Sequence, residues 1–424
     1  MAKLLYCWEL GDDLGHISSF VPLATELCQR GHTVVVALRE VQRAQQLLGH
    51  LEGLTILPAP VWHGVPAGTP KIGVSYADLL YGVGFGDPAG LASMVRAWRD
   101  LFGLISPDLV IVDHGPTALL AARTLGLPSL TYGAGFCAPP SVFPFPNIRS
   151  RWDVPIVHLL KIEARVLGSI NRILHEACKP ALAHLSELFP KERNILLTYA
   201  ELDHYKNRKD GEYFGPVINP TWTAKARWTE GKGKKVFAYL KARHQDFELV
   251  LTTLTALDCR SVVFAGEMPT RERQKYCTSR VQMLAEPIDI HDAVEQCALV
   301  VSHGGIGTIA SALLGGKPLF LLPMHHEQGM QTARLVELGA ALTVESTSSE
   351  VRPDYRTPIA RLLFEGSFTQ KASEFAIAHR SPSQSEIVAS IADRCERELT
   401  PPLRKISPVA RTASRAKRMT ANAA

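Results

Sequence analysis

The sequence lacks most of the features that would tie it to a membrane, a structural metal or an oxidising compartment. None of its apolar runs reaches the roughly 18 residues that a membrane-crossing helix needs. The opening residues, Lys3 to Trp8, read as a strand and not as a signal peptide. The eight cysteines (Cys7, Cys28, Cys137, Cys178, Cys259, Cys277, Cys297 and Cys395) are scattered, with no CxxC pair and no zinc spacing. They read as reduced, mostly buried thiols of a cytosolic protein. There is no short-period internal repeat.

A basic body is missing too. The formal net charge is +5, but Arg404, Lys405, Arg411, Arg415, Lys417 and Arg418 all fall within Thr400–Ala424, which holds no acid. Taking those six from the 46 Lys and Arg residues leaves 40 against 41 Asp and Glu, so the body is neutral. A surface that grips nucleic acid is not indicated. The tail, rich in Ala, Ser, Thr and Pro, reads as disordered. Its plainer role is solubilising; weak contact with an anionic membrane surface is the alternative.

What the chain does have is length and an alternating rhythm. At 424 residues and 46% hydrophobic it exceeds one ordinary core, so two domains are expected. In the first half, Lys3–Trp8 and Thr33–Leu38 read as strands around a helix in which Ile17, Phe20, Val21, Leu23, Ala24 and Leu27 recur at helical spacing. A further strand–helix–strand pattern runs to Leu57, then Leu109–Val112, Ser129–Tyr132 and Asn194–Tyr199 read as strands. Pro58–Gly73 and Gly133–Asp153 are loops rich in Pro, Gly and aromatics, and Pro155–Leu174 is a long amphipathic helix carrying Lys161, Arg165 and Arg172. That helix reads mainly as a packed domain wall, with a membrane-surface face as the alternative. A polar, Lys-rich segment ends at Lys235, and the rhythm restarts with strands Val236–Leu240, Ser261–Ala265 and Val281–Leu284 and helices Phe247–Ala256 and Ile290–Cys297. The expected layout is therefore residues 1–212, a linker 213–235, residues 236–380, a last helical segment 381–399 and the tail 400–424. Strands alternating with helices throughout imply two doubly wound parallel sheets.

In such sheets the loops after strand ends line the ligand crevice. Two polar groups occupy such places in the first half. His16 follows strand one near the first turn of the helix, and Asp113 closes the strand Leu109–Val112. Each alone could be a capping or surface residue. In the second half, Leu299–Val344 reads as strand, glycine loop, helix, strand, polar loop and helix. Gly305-Ile306-Gly307-Thr308-Ile309-Ala310 fits G-x-G-x-x-A after a strand, a weak dinucleotide fingerprint. A dehydrogenase would want an acid ending the next strand, and Glu327 lies beyond it, in the polar loop. The wider chemistry stands: backbone N–H groups at a glycine-opened helix N-terminus bind phosphate, and His303 could add a positive charge or a hydrogen bond. Glycines serving only a tight turn are the minority reading.

With His303-Gly304-Gly305-x-Gly307-Thr308, then Gly316-x-Pro318, Pro323 and Glu327-Gln328, the chain resembles the nucleotide-sugar glycosyltransferases of family 1, the UDP-glycosyltransferase-like enzymes. Gly15-His16, Arg30-Gly31-His32-x-Val34, Asp113 before a helix, Gly126-Leu127-Pro128 and the junction-like Tyr213-Phe214-Gly215-Pro216 agree with it. The resemblance is strong over about residues 3–40 and 297–345. It implies a GT-B fold of two Rossmann-like domains facing across a cleft. It also implies a sugar moved, with inversion, from a nucleotide diphosphate to an acceptor hydroxyl. His16 matches the general base, and a group titrating near neutrality suits that work. Asp113 matches the acid that orients the base. His303, Gly305, Gly307 and Thr308 match the diphosphate site, and Glu327 and Gln328 match residues that hold sugar hydroxyls. No DxD-type site is seen, so neither a metal nor a cofactor is expected, and the donor would be UDP- or dTDP-linked.

Three departures stand out. Ser311 replaces a ribose-binding Glu, Ala285 and Ile288 replace a Trp and a Gln of the base site, and Leu240-Lys241-Ala242-Arg243 replaces a Gly-Ser loop. Lys241 or Arg243 could supply phosphate charge instead. The leading expectation is a cytosolic hexosyltransferase acting on a hydroxyl-bearing, lipophilic acceptor. A nucleotide-sugar epimerase of the same fold and a degenerate, non-enzymatic binding subunit are the alternatives.

Overall fold

The computed structural model describes residues 1–11, 15–149, 152–219, 223–266, 268–344 and 353–399. The expected tail lies outside them. Strands β1 (Lys3–Trp8), β2 (Thr33–Leu38), β3 (Thr55–Pro58), β4 (Leu109–Asp113), β5 (Ser129–Gly133), β6 (Asn194–Leu196) and β7 (Glu212–Tyr213) form one sheet in the order β3-β2-β1-β4-β5-β6-β7. Strands β8 (Lys234–Tyr239), β9 (Cys259–Phe264), β10 (Val281–Leu284), β11 (Leu299–Ser302), β12 (Leu319–Leu321) and β13 (Ala341–Thr343) form a second, ordered β10-β9-β8-β11-β12-β13. Every named strand pairing is parallel. This is the GT-B architecture of two Rossmann-like sheets.

The strand sequences explain the layering. Parallel strands are covered on both faces and read as continuous apolar runs. Alternate residues then serve opposite cores. Leu5 and Cys7 pack beneath the helices of one face, among Trp98, Phe102 and Val166, whereas Leu4, Tyr6 and Trp8 pack against Phe20, Leu23 and Ile391 on the other. Val236 and Ala238 face one core of the second sheet and Phe237 the other.

Both sheets reverse strand order at their centre. In the first, β1 is flanked by β2 and β4, and Trp8 pairs with Asp113 at the carboxyl ends. In the second, β8 is flanked by β9 and β11, and Tyr239 pairs with Ser302. Such switch points are where open parallel sheets bind ligands. The chain thus presents two crevices, one ending in Asp113 and one opening onto His303.

The last helix, Gln384–Leu399, returns to the first sheet, where Ile387, Ile391, Ala392 and Cys395 join the core beside the helix Gly15–Gln29. The Arg30-Gly31-His32 motif fastens it. The Arg30 guanidinium meets Asp393 at 2.6 Å and Glu396 at 2.9 Å, and His32 Nε2 lies 2.9 Å from Glu396. Strand β6 ends at Leu196 instead of Tyr199, and the chain passes through a turn at Ala200–Leu202 before the two-residue edge strand β7. Strand β13 and the helices Thr270–Tyr276, Arg356–Phe364 and Gly366–Ala378 are further elements that the sequence pattern did not single out.

Candidate functional site

At the first crevice the side chains are held from behind. His16 sits in the first turn of the helix Gly15–Gln29, and its Nδ1 is 2.9 Å from Asp113 Oδ1. The Tyr6 hydroxyl, reaching across from β1, donates to the other carboxylate oxygen at 2.7 Å. Asp113 is 1% exposed, so these bonds fix it in a medium where an unmet charge would be costly. The Tyr6 phenol is pushed well up, first by burial and then by Asp113, and so stays a donor. Gly133 makes room: its φ is +143°, and a Cβ there would stand 3.0 Å from Asp113 Oδ1. Gly11, with φ +93°, does the same for the ring, since its Cβ would lie 2.9 Å from His16 Nε2. The His16 ring stacks on Trp8 at 5.5 Å. With Nδ1–H donated to the carboxylate, the lone pair of a neutral imidazole falls on Nε2, the geometry of a base held by an acid.

His114 lies beside it, ring centres 5.9 Å apart. Burial first, and then the neighbouring His16, push its pKa down to about 3. It is a neutral neighbour and adds no charge to the site. Just past the end of β1 sits Glu9, 2% exposed. It accepts from the Ala118 N–H at 2.5 Å and from Thr117, at the start of the helix Pro116–Leu125, whose N-cap residue Gly115 offers no side chain. Burial outweighs these bonds and raises its pKa to about 8.

The second crevice opens where Gly304, at φ +91°, turns the chain from β11 into the helix Ile306–Leu314. A Cβ added at Gly305 or Gly307 would meet nothing within 4 Å, so the space over the first turn is open. The leading N–H groups of a helix have no partner inside it and suit an anion. Thr308 is buried in this turn. His303 is hydrogen-bonded at both ring nitrogens. Its Nδ1–H donates to the Leu322 carbonyl at 2.7 Å, and its Nε2 accepts from the Lys241 N–H at 2.8 Å. Burial above all brings its pKa to about 4, with Lys241 and Arg243 among the nearby cations. Of the two roles open to it, a positive charge or a hydrogen bond, His303 does not supply the charge; the ring is a neutral strut joining the loop after β8 to the end of β12. The cations here are Lys241 and Arg243.

The departures from the family pattern have physical counterparts. The Ser311 hydroxyl is turned back onto the Gly307 carbonyl at 2.8 Å. Ile288 is core, 5% exposed among Leu284, Ala293 and Val294. The Ala285 carbonyl accepts from Arg273 at 2.9 Å. Glu327 and Gln328 stand in the first turn of the helix His326–Leu338. The Gln328 side-chain oxygen accepts from the Met324 N–H at 2.8 Å, which leaves its amide NH2 as the group able to donate to a ligand.

The two halves touch along this helix. Gln331 Nε2 donates to the Leu202 carbonyl at 3.0 Å, Arg149 lies 3.3 Å from His326, and Met330 packs on the first half's core. The helix Gly15–Gln29 also touches the helix Ile306–Leu314. A cavity of about 700 Å³ opens between the halves, lined by Pro140, Ile148, His204, Tyr205, Met330 and Arg334 among others.

A family model described as the erythromycin biosynthesis protein CIII-like C-terminal domain matches residues 248–393. Over that segment and beyond it, the chain is similar to glycosyltransferases. It is similar to the zeaxanthin glucosyltransferase of Pantoea ananas, 21% identical over 89% of this chain and 93% of that protein. A 91-residue segment is 32% identical to the UDP-sugar-dependent glycosyltransferase 52 of Dictyostelium discoideum, covering 20% of this chain and only 5% of that protein's length. Among solved structures, the glycotransferase of kitacinnamycin superposes with a TM-score of 0.67 at 20% identity, covering 94% of this chain and 98% of that one. The glycosyltransferase VinC, in complex with dTDP, superposes with a TM-score of 0.62 at 19% identity, covering 93% and 100%. No helix among the described residues is long and apolar enough to cross a membrane.

Tyr6, Gly133, Gly11 and His204 were not singled out in the sequence. Tyr6 and Gly133 carry no local motif, because their partner, Asp113, is fixed only by sheet pairing.

Proposed function

We propose that this chain moves a sugar from a nucleoside diphosphate to a hydroxyl of a lipophilic acceptor, with inversion at the anomeric carbon. The observation that carries this is the His16–Asp113 pair, 2.9 Å apart at the end of β1 and β4. His16 Nε2 takes the acceptor proton as the oxygen attacks. Asp113, braced by Tyr6, holds the ring's tautomer and stabilises the imidazolium. The diphosphate sits over the helix N-terminus at Gly305, Gly307 and Thr308, with Lys241 and Arg243 supplying charge and His303 holding their loop. Glu327 and the Gln328 amide hold sugar hydroxyls.

Residues 1–212 then carry the acceptor side, 236–380 the donor side and 213–235 the link, with 381–399 returning to the first half. A UDP- or dTDP-linked donor is supported by the likeness to VinC, whose structure is a complex with dTDP. A lipophilic acceptor is supported by the zeaxanthin glucosyltransferase and by the apolar loops Pro58–Gly73 and Gly133–Asp153. Ile148 donates to Val74 and Arg149 to Gly73, which joins the two loops, and Ile72, Phe143 and Trp152 are exposed on them.

The test is incubation with α-linked UDP- and dTDP-glucose and a panel of hydroxylated apolar acceptors, with the product's anomeric configuration read by NMR. A β-linked glucoside is expected. An α-linked product would refute inversion, and a changed free sugar formed without acceptor would point to epimerisation.

A further inference from the structure

The seam between the halves buries an unpartnered histidine opposite the carboxylate assigned to the sugar. His204 follows the turn Ala200–Leu202 in the first half and is 4% exposed. Neither of its ring nitrogens has a hydrogen-bond partner among the described residues. A neutral imidazole carries one donor and one acceptor, so both are unmet. Its neighbours do not supply them. Asp203 is already satisfied by Arg208 at 2.6 Å, by the Tyr213 hydroxyl at 2.6 Å and by the Tyr205 N–H at 2.9 Å. The Ala134 backbone lies close without hydrogen-bond geometry. Phe136 covers the ring at 5.8 Å.

The group that Nε2 approaches is Glu327 Oε1, at 4.0 Å. That is about 1 Å beyond hydrogen-bond reach. Glu327 keeps 22% of its side chain exposed, so it has room to turn, whereas the His204 side chain is fully enclosed. The gap is held on both sides. Gln331, one helical turn beyond Glu327, is tied to Leu202, and Lys206 pairs with Glu337 at 2.5 Å further along the same helix. Unsatisfied buried polar groups are few in native proteins and call for an explanation. Here the explanation lies across the seam.

We propose that His204 is a positioning residue for donor-sugar recognition: when a sugar occupies Glu327, the carboxylate closes the gap and accepts a hydrogen bond from His204 Nε2–H. One carboxylate oxygen is then fixed by the first half, and the other is aimed at the sugar hydroxyls. The inference rests on the reading of Glu327 as a sugar-holding residue. It makes the first half, and not only the second, a determinant of which sugar is accepted.

The test uses the full chain with His204→Phe, which keeps a ring and removes both polar atoms, and His204→Gln, which keeps a donor. Free UDP and dTDP, and UDP- and dTDP-glucose, are titrated by calorimetry, with Glu327→Gln as the reference. His204→Phe should melt no lower than the wild type without ligand. It should bind the free diphosphates within twofold of the wild type and bind the nucleotide sugars roughly tenfold more weakly, the worth of one hydrogen bond to a charged group. In turnover the loss should fall on the donor KM. His204→Gln should recover several-fold. Nucleotide-sugar affinity unchanged in His204→Phe, or lost equally for free diphosphate and nucleotide sugar, would overturn the inference. If Glu327→Gln also binds nucleotide sugar normally, the reading of Glu327 itself fails. If only His204→Phe does so, the fault lies with His204 alone.

Discussion

At the scale of single residues, the first crevice depends on what stands behind His16. Asp113 faces two donors, His16 and Tyr6, so their removal should have different consequences. Asp113→Asn keeps the shape but loses the preference for the Nδ1–H tautomer, and kcat should fall at least 100-fold with donor KM little changed, as steady-state kinetics would show. Tyr6→Phe removes one bond to a buried carboxylate and should cost about 1–3 kcal/mol of stability in denaturant unfolding.

Burial also writes a pH signature. Glu9 titrates near 8 in the folded chain and near 4.5 when unfolded. The folded state therefore binds the extra proton between these values, and stability falls as pH rises through that window. Glu9→Gln should flatten this fall in unfolding experiments between pH 5 and 8, an effect on the order of a few kcal/mol. His114 and His303 act on the acid side. Their pKa values, about 3 and about 4 in the fold, lie below the ordinary 6.5. The unfolded chain binds their protons first, so their contribution is present above about pH 6.5 and is lost as pH falls towards 4.

At this scale the sequence showed His16 and Asp113 because each sits at a strand end, a position that periodicity reveals. It could not show that His303 would be neutral. That outcome depends on a carbonyl 19 residues away and an amide 62 residues away. Nor could it separate Glu9, a buried carboxyl, from a surface acid.

At the scale of elements, the helix N-terminus after β11 is where stability and ligand binding should part company. The space beside Gly307 is open, and alanine favours a helix over glycine by about 1 kcal/mol. Gly307→Ala should leave thermal stability unchanged or raised, yet weaken UDP or dTDP in a thermal-shift titration. Equal ligand response in variant and wild type would remove the diphosphate from this turn. Gly133→Ala should behave in the opposite way, because φ +143° and the 3.0 Å approach to Asp113 penalise any side chain; a loss of about 1–3 kcal/mol is expected. Most long, periodic elements were legible from apolar spacing, although the 13-residue helix Gly366–Ala378 was not. Among the short ones, β7 with two residues and β13 with three were not, since neither is long enough for a period of two to show.

At the scale of the whole molecule, the last helix belongs to the first half's core although it starts 145 residues beyond the end of β8. Truncation after residue 383 would take Ile387, Ile391 and Cys395 out of that core and strip Arg30 and His32 of Asp393 and Glu396. The two-domain layout was readable from the restart of the strand–helix rhythm at β8. The seam along His326–Leu338 was not, because Gln331–Leu202 and His204–Glu327 join residues more than 120 positions apart. That seam sets Glu327 and its helix against the half that carries His16.

The central claim is that His16 is the base, and that the donor binds without it. The most direct measurement sets turnover of His16→Ala beside its calorimetric affinity for dTDP and UDP. Transfer should drop by roughly 10²–10⁴-fold, with nucleotide affinity within twofold of the wild type. Turnover retained in the variant, or nucleotide binding lost with it, would contradict the claim.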